Sequence, residues 1–459
     1  MARRYYIETF GCQMNEHDSE KIAGLLSHQG LVAAADPDDA DLYILNTCSV
    51  REKAAQKVYS RLGEFKSRKI AEPEFTIGVV GCVAQQEGES MVERVPFVDL
   101  VVGTHLYHEI PDLLEQVWQG RSAAGAGKVA TKFLEDKTPV EIPSVDRASG
   151  FRANITIMEG CNKRCSFCVV PFTRGRERNR PSLHILEEAK KAAEDGFVEV
   201  LLLGQTVNSY KDPSNPRFKF AELLAAVAEI PGIRRVRFTS PHPRDFGDEA
   251  IEVIASYPNI CNQIHLPLQS GSNSILKRMR RQYTRGWFLE LVGKFKSCGR
   301  PIAFSTDVIV GFPGETEDDF QQTLEIVSQV GFESMFSFKY SPRPYTEALP
   351  WDDDVAEQDK TRRLMMLQRM QKGIQLDLHK KRYLGREMEI LVEGLARDGQ
   401  KRFGRTASGK VVNFEGDEAA GEFVSLRITD VGPNSLKGER LAPAAVSGGQ
   451  QRRHHGTRV

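Results

Sequence analysis

The residues best suited to chemistry are three cysteines in one short stretch, residues 160–168. Cys161, Cys165 and Cys168 are separated by three and two residues, and they follow a run that is typical of a strand. A loop this short can wrap three thiolates around an iron–sulfur cube, which normally has four thiolate ligands. The next cysteine, Cys261, lies far along the chain. The spacing therefore predicts a four-iron cluster with one open iron, a position at which a reactant can bind.

A zinc knuckle is the structural alternative for the same three thiols. Structural zinc is closed and four-coordinate, with its ligands arranged in pairs. The nearest imidazole belongs to His184, which opens a predicted helix rather than a knuckle. The ligand count therefore disfavours zinc.

A second set of thiols, Cys12, Cys48 and Cys82, follows the ends of three predicted strands. Residues 1–120 alternate between strand and helix patterns, and the first helix has a predicted cap near Asp18 and Ser19. This alternation predicts a flavodoxin-like parallel sheet, and ligands bind such sheets at the carboxyl ends of the strands. The three thiols therefore indicate a second metal cluster, with three separate buried thiols as the alternative. The predicted strands are 5–10, 42–46, 76–80 and 98–102.

A second series of strands and helices begins at residue 151. Six strand–helix units predict a partial, open TIM-like barrel, in which active sites lie at the carboxyl ends of the strands. Polar side chains at those ends, Gln205, Asn208, Gln269 and Asp307, are positioned to meet a bound nucleotide. His242 and His265 are better explained as core or capping residues. The predicted strands are 153–159, 199–203, 235–238, 263–266, 304–310 and 337–340.

The rest of the chain predicts a linker and a third domain. The composition of residues 121–150 indicates a linker, which begins with the small residues 122–127. The second domain spans 151–384 and ends in a basic helix with an apolar stripe. Short strands between glycine-rich turns over 385–445 predict a small β-barrel of OB-like size. The tail 446–459 has the composition of a disordered segment.

The net charge is zero, but the charges are unevenly distributed. Residues 1–120 carry 11 Lys and Arg against 19 Asp and Glu, so this part is acidic. Residues 360–382 carry eight basic side chains and one acidic, and an arginine-rich stretch fills residues 173–180. These two stretches would attract an acidic substrate such as RNA. A solvated helix face and a salt-bridged loop are the alternatives.

Composition also excludes some classes of protein. The N-terminus lacks the apolar segment of a signal peptide, and no long apolar run is present, so we expect no membrane association. Most of the cysteines fall in short motifs that suit metal ligands rather than disulfides. We therefore expect a reducing compartment, the cytoplasm.

The whole pattern resembles the methylthiotransferase family of radical S-adenosylmethionine (SAM) enzymes, from residue 5 to about residue 442. That family combines an N-terminal three-cysteine domain, a partial radical SAM (βα)6 barrel and a C-terminal TRAM barrel. Residues 10–15, 46–54 and 173–180 resemble the branch of the family that acts on N6-isopentenyladenosine in tRNA. Asn179 departs from the serine usual in the family, which removes a hydroxyl but no charge.

The resemblance implies two [4Fe–4S] clusters. Cys161, Cys165 and Cys168 would bind the first, whose open iron binds SAM, and one electron would split SAM into methionine and a 5′-deoxyadenosyl radical. Phe167 would shield the adenine side of SAM, with Gln205, Asn208, Gln269 and Asp307 as further cofactor-binding residues. Cys12, Cys48 and Cys82 would bind the auxiliary cluster, which holds the sulfur to be methylated.

The implied reaction replaces C2–H of N6-isopentenyladenosine beside the tRNA anticodon with S–CH3, and a second SAM donates the methyl group. The TRAM barrel would hold the anticodon stem-loop by stacking and phosphate contacts. The expected partners are tRNA, an external electron donor such as flavodoxin or ferredoxin, and a sulfur donor, with the protein itself a monomer. Alternatives are methylthiolation of threonylcarbamoyladenosine in tRNA or of a ribosomal-protein aspartate, an RNA-binding protein with structural clusters, and an iron–sulfur electron carrier.

Overall fold

A computed structural model describes residues 2–49, 52–120, 127–136, 138–142, 145–147, 149–396 and 399–441, with the backbone alone for 52–56. Most of the small-residue run 122–127, part of the motif 46–54 and the whole tail 446–459 lie outside the described residues. Within the described part of the chain, no helix is both long enough and apolar enough to cross a bilayer.

The N-terminal part forms a six-stranded sheet in which every neighbouring pair is parallel, in the order β2-β1-β3-β4-β5-β6. Its first five strands have the flavodoxin-like order, as predicted. Strands β3 and β4 are buried along their whole length, which explains their nearly continuous apolar sequences. The strands are β1 (Arg4–Thr9), β2 (Val32–Ala33), β3 (Leu42–Thr47), β4 (Thr76–Gly81), β5 (Leu100–Val102) and β6 (Lys128–Ala130); the helices are α1 (Gln13–His28), α2 (Glu52–Ala71), α3 (Cys82–Glu87), α4 (Glu89–Arg94) and α5 (Ile110–Trp118).

Two local features of this sheet differ from the sequence prediction. Strand β6 falls inside the predicted linker and pairs with β5, so part of that segment extends the sheet. The predicted cap near Asp18 and Ser19 is wrong, because α1 already begins at Gln13. The side chain of Asp18 instead pairs with Arg174, and the hydroxyl of Ser19 lies 2.7 Å from that of Thr9.

The following part contains the six predicted strand–helix units, arranged as two three-stranded parallel sheets. Their orders are β11-β10-β7 and β12-β13-β14, and an isolated parallel bridge joins Val236 to Ile260. This is the predicted partial barrel. The strands are β7 (Arg152–Thr156), β8 (Met158–Glu159), β9 (Arg178–Asn179), β10 (Glu199–Leu203), β11 (Arg235–Phe238), β12 (Gln263–His265), β13 (Ala303–Val310) and β14 (Ser334–Lys339); the helices are α6 (Val170–Thr173), α7 (Ser182–Glu194), α8 (Phe220–Ala228), α9 (Asp248–Ser256), α10 (Asn273–Arg278), α11 (Arg285–Lys296), α12 (Glu317–Val330) and α13 (Glu357–Arg382).

Successive side chains of each strand point to opposite faces of the sheet. One face packs on the hydrophobic core under the helices, and the other faces the inside of the partial barrel. On β10, Val200 and Leu202 belong to the large core that includes α7, whereas Leu201 and Leu203 cluster with Met14 of α1. Helix α1 therefore packs against the inner side of the partial barrel. The inner face carries polar groups such as Asp307, which is half-buried.

The C-terminal part is a closed five-stranded barrel in the order β15-β16-β17-β19-β18, as predicted. Its core contains Ile390, Val412, Leu426 and Leu436. It belongs to a compact unit of its own, made of residues 379–406 together with 410–441 of the described chain. The strands are β15 (Glu387–Leu395), β16 (Arg402–Arg405), β17 (Val411–Phe414), β18 (Phe423–Val431) and β19 (Leu436–Arg440).

Candidate active site

The three cysteines of residues 160–168, here called the loop triplet, follow β8 on a loop held by backbone hydrogen bonds. The Cys161 N–H donates to the Gly175 carbonyl at 3.1 Å, and the Cys168 N–H donates to the Cys165 carbonyl at 3.1 Å. The Lys163 N–H lies 3.4 Å from Cys161 Sγ and can stabilise a thiolate there. These hydrogen bonds therefore fix the backbone of the loop that carries the three thiols.

Gly160 is required at the start of this loop. Its φ is +73°, a region that side chains with a Cβ rarely adopt. A Cβ at this position would also collide with the Arg176 carbonyl. The close approach of the start of the loop to Arg176 thus depends on glycine at position 160.

Arg281 is a site residue that the sequence did not reveal. Its Nη1 donates to Cys165 Sγ at 3.3 Å, and its Nε donates to the Tyr283 hydroxyl at 3.1 Å. The side chain is buried, and its neighbours Arg280 and Gln282 both have left-handed φ values, of +55° and +59°. Strained backbone of this kind clusters at functional sites. No sequence signal could identify Arg281, because only the fold brings it to the loop.

Two of the loop thiols, those of Cys161 and Cys168, are buried in a way that disfavours their ionised form. Burial raises the pKa of Cys161 and raises the pKa of Cys168 to about 12. Metal binding replaces these protons, because thiolate is the ligating form. The donor set of three soft thiols, with a buried guanidinium and a backbone N–H beside them, fits an anionic iron–sulfur cluster.

Two of the predicted SAM-binding residues, Gln205 and Asn208, follow β10, and Gln205 supports the cysteine loop. The Gln205 side chain accepts a hydrogen bond from the Gly160 N–H. The Asn208 side chain holds the backbone of His242, with hydrogen bonds of 2.8 Å to its N–H and 2.9 Å to its carbonyl. The His242 side chain accepts from the Arg244 N–H at a helix start, as its capping prediction requires. A contact of Gln205 or Asn208 with SAM stays a prediction.

The other predicted SAM-binding residues lie around the end of β13 and in the loop itself. Gln269 is buried with φ of +68°, and its N–H donates to the Asp307 carbonyl at 2.8 Å. The Asp307 carboxylate lies 3.1 Å from His265 Nε2, so His265 neither belongs to the core nor caps a helix. Phe167 is half-buried and meets Phe312 edge-on, with ring centroids 6.3 Å apart. Their contacts with SAM also stay predictions.

Cys12, Cys48 and Cys82, here called the strand-end triplet, lie at one edge of the N-terminal sheet. Cys12 is the residue before α1, Cys48 follows β3, and Cys82 is the first residue of α3. A hydrogen bond from Cys48 lowers the pKa of Cys12 to about 6, so these two thiols are adjacent. Burial raises the pKa of Cys82, while the nearby Arg174 guanidinium opposes that rise by pairing with the thiolate.

Side chains of the strand ends hold this triplet in place. The Asn15 amide donates to Asn46 Oδ1 at 3.0 Å and to the Thr47 carbonyl at 2.9 Å. The Thr47 hydroxyl donates to the Val80 carbonyl at 2.6 Å. Gly81 has φ of +92°, and a Cβ there would lie 2.6 Å from the Thr47 carbonyl oxygen. These polar bonds and the glycine bring the ends of β3 and β4 together beside the cysteines.

Neither triplet forms a compact site for a single ion. Among the described residues, no group of three or more His, Cys, Asp or Glu side chains is arranged to hold one metal ion. A four-iron cube differs from such a site, because each thiolate binds a separate iron.

One segment, residues 173–175, contacts both cysteine sites and is called the bridging segment below. Arg174 Nη2 lies 2.6 Å from Asp18 Oδ2, and the Tyr107 hydroxyl donates to the same oxygen at 3.2 Å. The Arg174 carbonyl also meets His105 Nε2 at 2.9 Å. Its neighbour Gly175 accepts the Cys161 N–H described above. The bridging segment therefore connects the loop triplet to the domain that carries the strand-end triplet.

The arginine-rich stretch 173–180 was predicted to attract RNA. For three of its four arginines this prediction is wrong. Arg174, Arg178 and Arg180 are buried, and they pair with carboxylates. Only Arg176 of this stretch is exposed. The stretch is therefore mainly a salt-bridged loop that joins parts of the protein.

The basic helix α13 is likewise partly internal. Lys360 is buried beside Asp353, and Arg363 is buried 2.8 Å from Glu315. Basic side chains farther along α13, such as Lys380, are exposed. The predicted apolar stripe packs on the barrel core, with Leu367 fully buried.

Comparison with known proteins gives three family models along the chain. Residues 4–103 match a family described as "Uncharacterized protein family UPF0004", residues 155–327 match the "Radical SAM superfamily", and residues 381–441 match the "TRAM domain". Among solved structures, the chain resembles the radical S-adenosylmethionine methyltransferase TsrM from Kitasatospora setae, with a TM-score of 0.55 and 16% identity, covering 76% of this chain and 75% of that one. At this identity the likeness concerns the fold alone.

Relatives of similar length are much closer in sequence. A protein of Solibacter usitatus is 46% identical over 446 residues, covering 96% of this chain and 98% of the relative. A protein of Geobacter sulfurreducens is 44% identical over 436 residues, covering 95% and 96%. Both relatives are named tRNA-2-methylthio-N(6)-dimethylallyladenosine synthase. With this identity over nearly the whole chain, and with both cysteine triplets in place, the chain belongs to the tRNA-2-methylthio-N(6)-dimethylallyladenosine synthase family of radical SAM enzymes.

Proposed function

We propose that this protein replaces C2–H of N6-isopentenyladenosine, beside the anticodon of tRNA, with a methylthio group. The names of its relatives support this activity. The structural observation that carries the proposal is the bridging segment, which contacts the loop triplet through Gly175 and the N-terminal cysteine domain through Arg174. Sulfur insertion needs a radical source and a sulfur-holding site close together, and this segment keeps the two cysteine sites close.

Membership of the radical SAM superfamily implies a [4Fe–4S] cluster and SAM. The loop triplet would hold that cluster, since its three thiols leave one iron free for SAM. When bound, the cluster and SAM supply the one-electron chemistry that removes an unactivated hydrogen, which acid–base side chains cannot do.

The protein's own residues prepare this site. The Arg281 guanidinium lies beside the sulfur of Cys165, and the Lys163 N–H points at the sulfur of Cys161, so both donors would help to balance the negative charge of a bound cluster. Gln205 fixes the start of the loop through Gly160. Phe167 and Phe312 cover one side of the loop with apolar surface, which limits water near the thiols.

We propose that the strand-end triplet holds a second [4Fe–4S] cluster, which carries the sulfur. The adjacency of Cys12 and Cys48 and the guanidinium of Arg174 beside Cys82 support this role. A buried cation of this kind would offset the negative charge of thiolate ligands.

We propose tRNA as the substrate and the TRAM barrel as a contact for its anticodon stem-loop. The exposed Lys380 and Lys381 precede that barrel and can contact phosphates. We also propose an external electron donor such as flavodoxin or ferredoxin, a monomeric state and a cytoplasmic location, which the cysteine content favours.

Mass spectrometry of tRNA nucleosides tests the activity directly. Cells with the protein should contain 2-methylthio-N6-isopentenyladenosine, and cells lacking its gene should accumulate N6-isopentenyladenosine. Re-expression of the wild-type chain should restore the product, whereas a chain with alanine at the loop triplet should not. Normal methylthiolation in the deletion strain would contradict the proposal.

A further inference from the structure

We propose that Phe172 and Tyr345 form a stacking site for one unpaired nucleobase of the RNA substrate. This inference rests on the proposed function and names a contact that the function requires. The occupant is a base of the anticodon loop that lies next to the adenosine being modified.

The two rings form an exposed aromatic pair. Phe172 is 44% exposed and Tyr345 is 60% exposed, which is unusual for large rings. Their ring centroids are 6.0 Å apart and their planes are inclined by 35°. Two neighbouring rings that both face solvent present a π surface on which a flat base can stack.

The pair lies beside the candidate active site. Phe172 belongs to α6, which begins two residues after Cys168. The segment that carries Tyr345 is tied to the cysteine loop, because the Ala348 N–H donates to the Ser166 carbonyl at 2.8 Å. The Tyr345 hydroxyl also lies 3.4 Å from the Gln86 carbonyl of α3, the helix that begins at Cys82. The aromatic pair therefore lies at the rim of both cysteine sites.

The backbone at Tyr345 is held in a costly conformation. Its φ is +65°, in the left-handed region that bulky residues rarely adopt. Glycine would adopt this conformation without strain. Because such strain is retained where it serves a ligand site, the large ring at this position is consistent with a binding role.

Two exposed arginines lie close to Phe172 in the sequence, as suits a site for RNA. Arg164 in the cysteine loop and Arg176 after the bridging segment are both exposed, and neither forms an ion pair within the part of the chain that the structure describes. Because Arg164 and Arg176 flank Phe172 in the sequence, the phosphates next to a stacked base are the groups that they would bind. Exposed aromatic rings with nearby arginines are the elements by which proteins bind single-stranded RNA.

The experiment measures RNA binding and thermal stability on the same variants of the full-length protein. The probe is an isopentenylated anticodon stem-loop RNA, and the variants are Phe172→Ala, Tyr345→Gly and Tyr345→Phe. A stacked base contributes about 1–3 kcal/mol, so Phe172→Ala and Tyr345→Gly should each weaken RNA binding by roughly 5- to 150-fold. Tyr345→Phe should bind as the wild type does, because the ring remains.

Thermal melting separates a binding role from a structural one. Tyr345→Gly relieves the left-handed strain but loses the contacts with Phe172 and Gln86, so its melting temperature should change little while RNA binding falls. Leu349→Ala is the matched control, since Leu349 is 47% exposed on the same segment. It should leave RNA affinity unchanged. Loss of affinity that follows loss of thermal stability would overturn the proposal.

RNAs that lack one base at a time identify the occupant. For the wild type, removing the stacked base should weaken binding by the same factor as Tyr345→Gly does, and combining both changes should weaken it no further. Full additivity at every loop position would overturn the stacking site. If the wild type makes methylthio product but the variants bind RNA as tightly as the wild type, the stacking site is rejected and the proposed function stands. Base-dependent binding without any product rejects the proposed function alone.

Discussion

The two cysteine triplets reach similar arrangements by different routes. The loop triplet lies within one short loop whose thiols are gathered by local backbone hydrogen bonds. The strand-end triplet comes from three distant points of the chain, and only the parallel order of β1, β3 and β4 brings its members to one edge. A local site depends on loop conformation, whereas a distributed site depends on the whole sheet. Damage to the two sites should therefore have different consequences.

Each triplet also has one buried arginine from elsewhere in the structure. Arg281 contacts the loop triplet, and Arg174 lies beside the strand-end triplet. The two arginines differ in their other partners, because Arg174 pairs with Asp18 and Arg281 donates to neutral oxygens. The same kind of side chain is thus part of an ion pair at one site and not at the other.

Replacing the cysteines of either triplet by alanine should have the largest effect on activity. The two variants should differ in whether they still cleave SAM. Alanine at the loop triplet should abolish 5′-deoxyadenosine formation from SAM, because no cluster binds SAM. Alanine at the strand-end triplet should retain that cleavage but abolish the methylthio product. Each variant should hold about half the iron of the wild type after anaerobic reconstitution, since a cluster that loses all its thiolate ligands is lost as a unit. Iron analysis and product chromatography measure both quantities.

A variant that lacks the strand-end triplet and still makes methylthio product with full iron content would contradict the two-cluster comparison. Cys298→Ala provides a control, because Cys298 belongs to neither triplet and its half-buried thiol contacts the Arg300 carbonyl. It should keep full iron and full activity.

Single glycine substitutions should affect one site at a time. Gly160→Ala places a Cβ against the Arg176 carbonyl at the loop triplet, and Gly81→Ala places one against Thr47 at the strand-end triplet. Each should cost about 1–3 kcal/mol or more of local strain. We expect Gly160→Ala to impair SAM cleavage, and Gly81→Ala to impair methylthiolation while cleavage persists. Gly30→Ala is the control, because φ is +84° there but no atom lies within 4 Å of the added Cβ. Equal losses of both activities in both variants would contradict this separation.

The two arginines should differ in their contribution to stability. Arg174→Gln leaves the buried Asp18 carboxylate without its cation, which should cost about 3–5 kcal/mol of unfolding free energy. Arg281→Gln leaves no carboxylate behind, so we expect a smaller loss of about 1.5–3 kcal/mol. Denaturant unfolding of the cluster-free protein measures both values. Adding Asp18→Asn to Arg174→Gln should restore part of the loss, and an unchanged loss would show that the ion pair is not its cause.

The smallest predicted difference concerns thiol reactivity in the cluster-free protein. Cys12 is exposed and has a pKa of about 6, whereas burial raises the pKa of Cys168 to about 12. At pH 7 most of the Cys12 thiol should be ionised, so iodoacetamide should label Cys12 faster than Cys168. As the pH falls below about 6, Cys12 becomes protonated and its labelling should slow. Peptide mass spectrometry over a pH series gives both rates, and faster labelling of Cys168 would contradict the assignment.

Much of the fold was predictable because it follows from local sequence patterns, namely the alternation of strands and helices and the spacing of cysteines. The alternation of strands and helices predicted both parallel arrangements, and the close spacing of Cys161, Cys165 and Cys168 predicted the loop site. The convergence of Cys12, Cys48 and Cys82 followed from their positions after parallel strands. Their role as cluster ligands stays a prediction.

Other features depend on contacts between distant residues and left no local signal. Arg281 reaches Cys165 only through the fold, and Asp18 was mistaken for a helix cap because its partner Arg174 is remote in sequence. The charge of residues 173–180 suggested an RNA-binding surface, but most of that charge is neutralised by buried carboxylates. Sequence spacing cannot show which charges are buried.

The ion pair between Asp18 and Arg174 has a consequence for synthesis on the ribosome. The last strand of the N-terminal sheet ends at Ala130, so the sheet emerges before Arg174 has been added. At about 5–20 residues per second, the remaining distance of about 40 residues takes roughly 2–8 s. During this interval the Tyr107 hydroxyl can donate to the Asp18 carboxylate, but the Arg174 guanidinium that pairs with this carboxylate is missing. The nascent N-terminal domain therefore completes this buried polar contact only after residue 174 has been added.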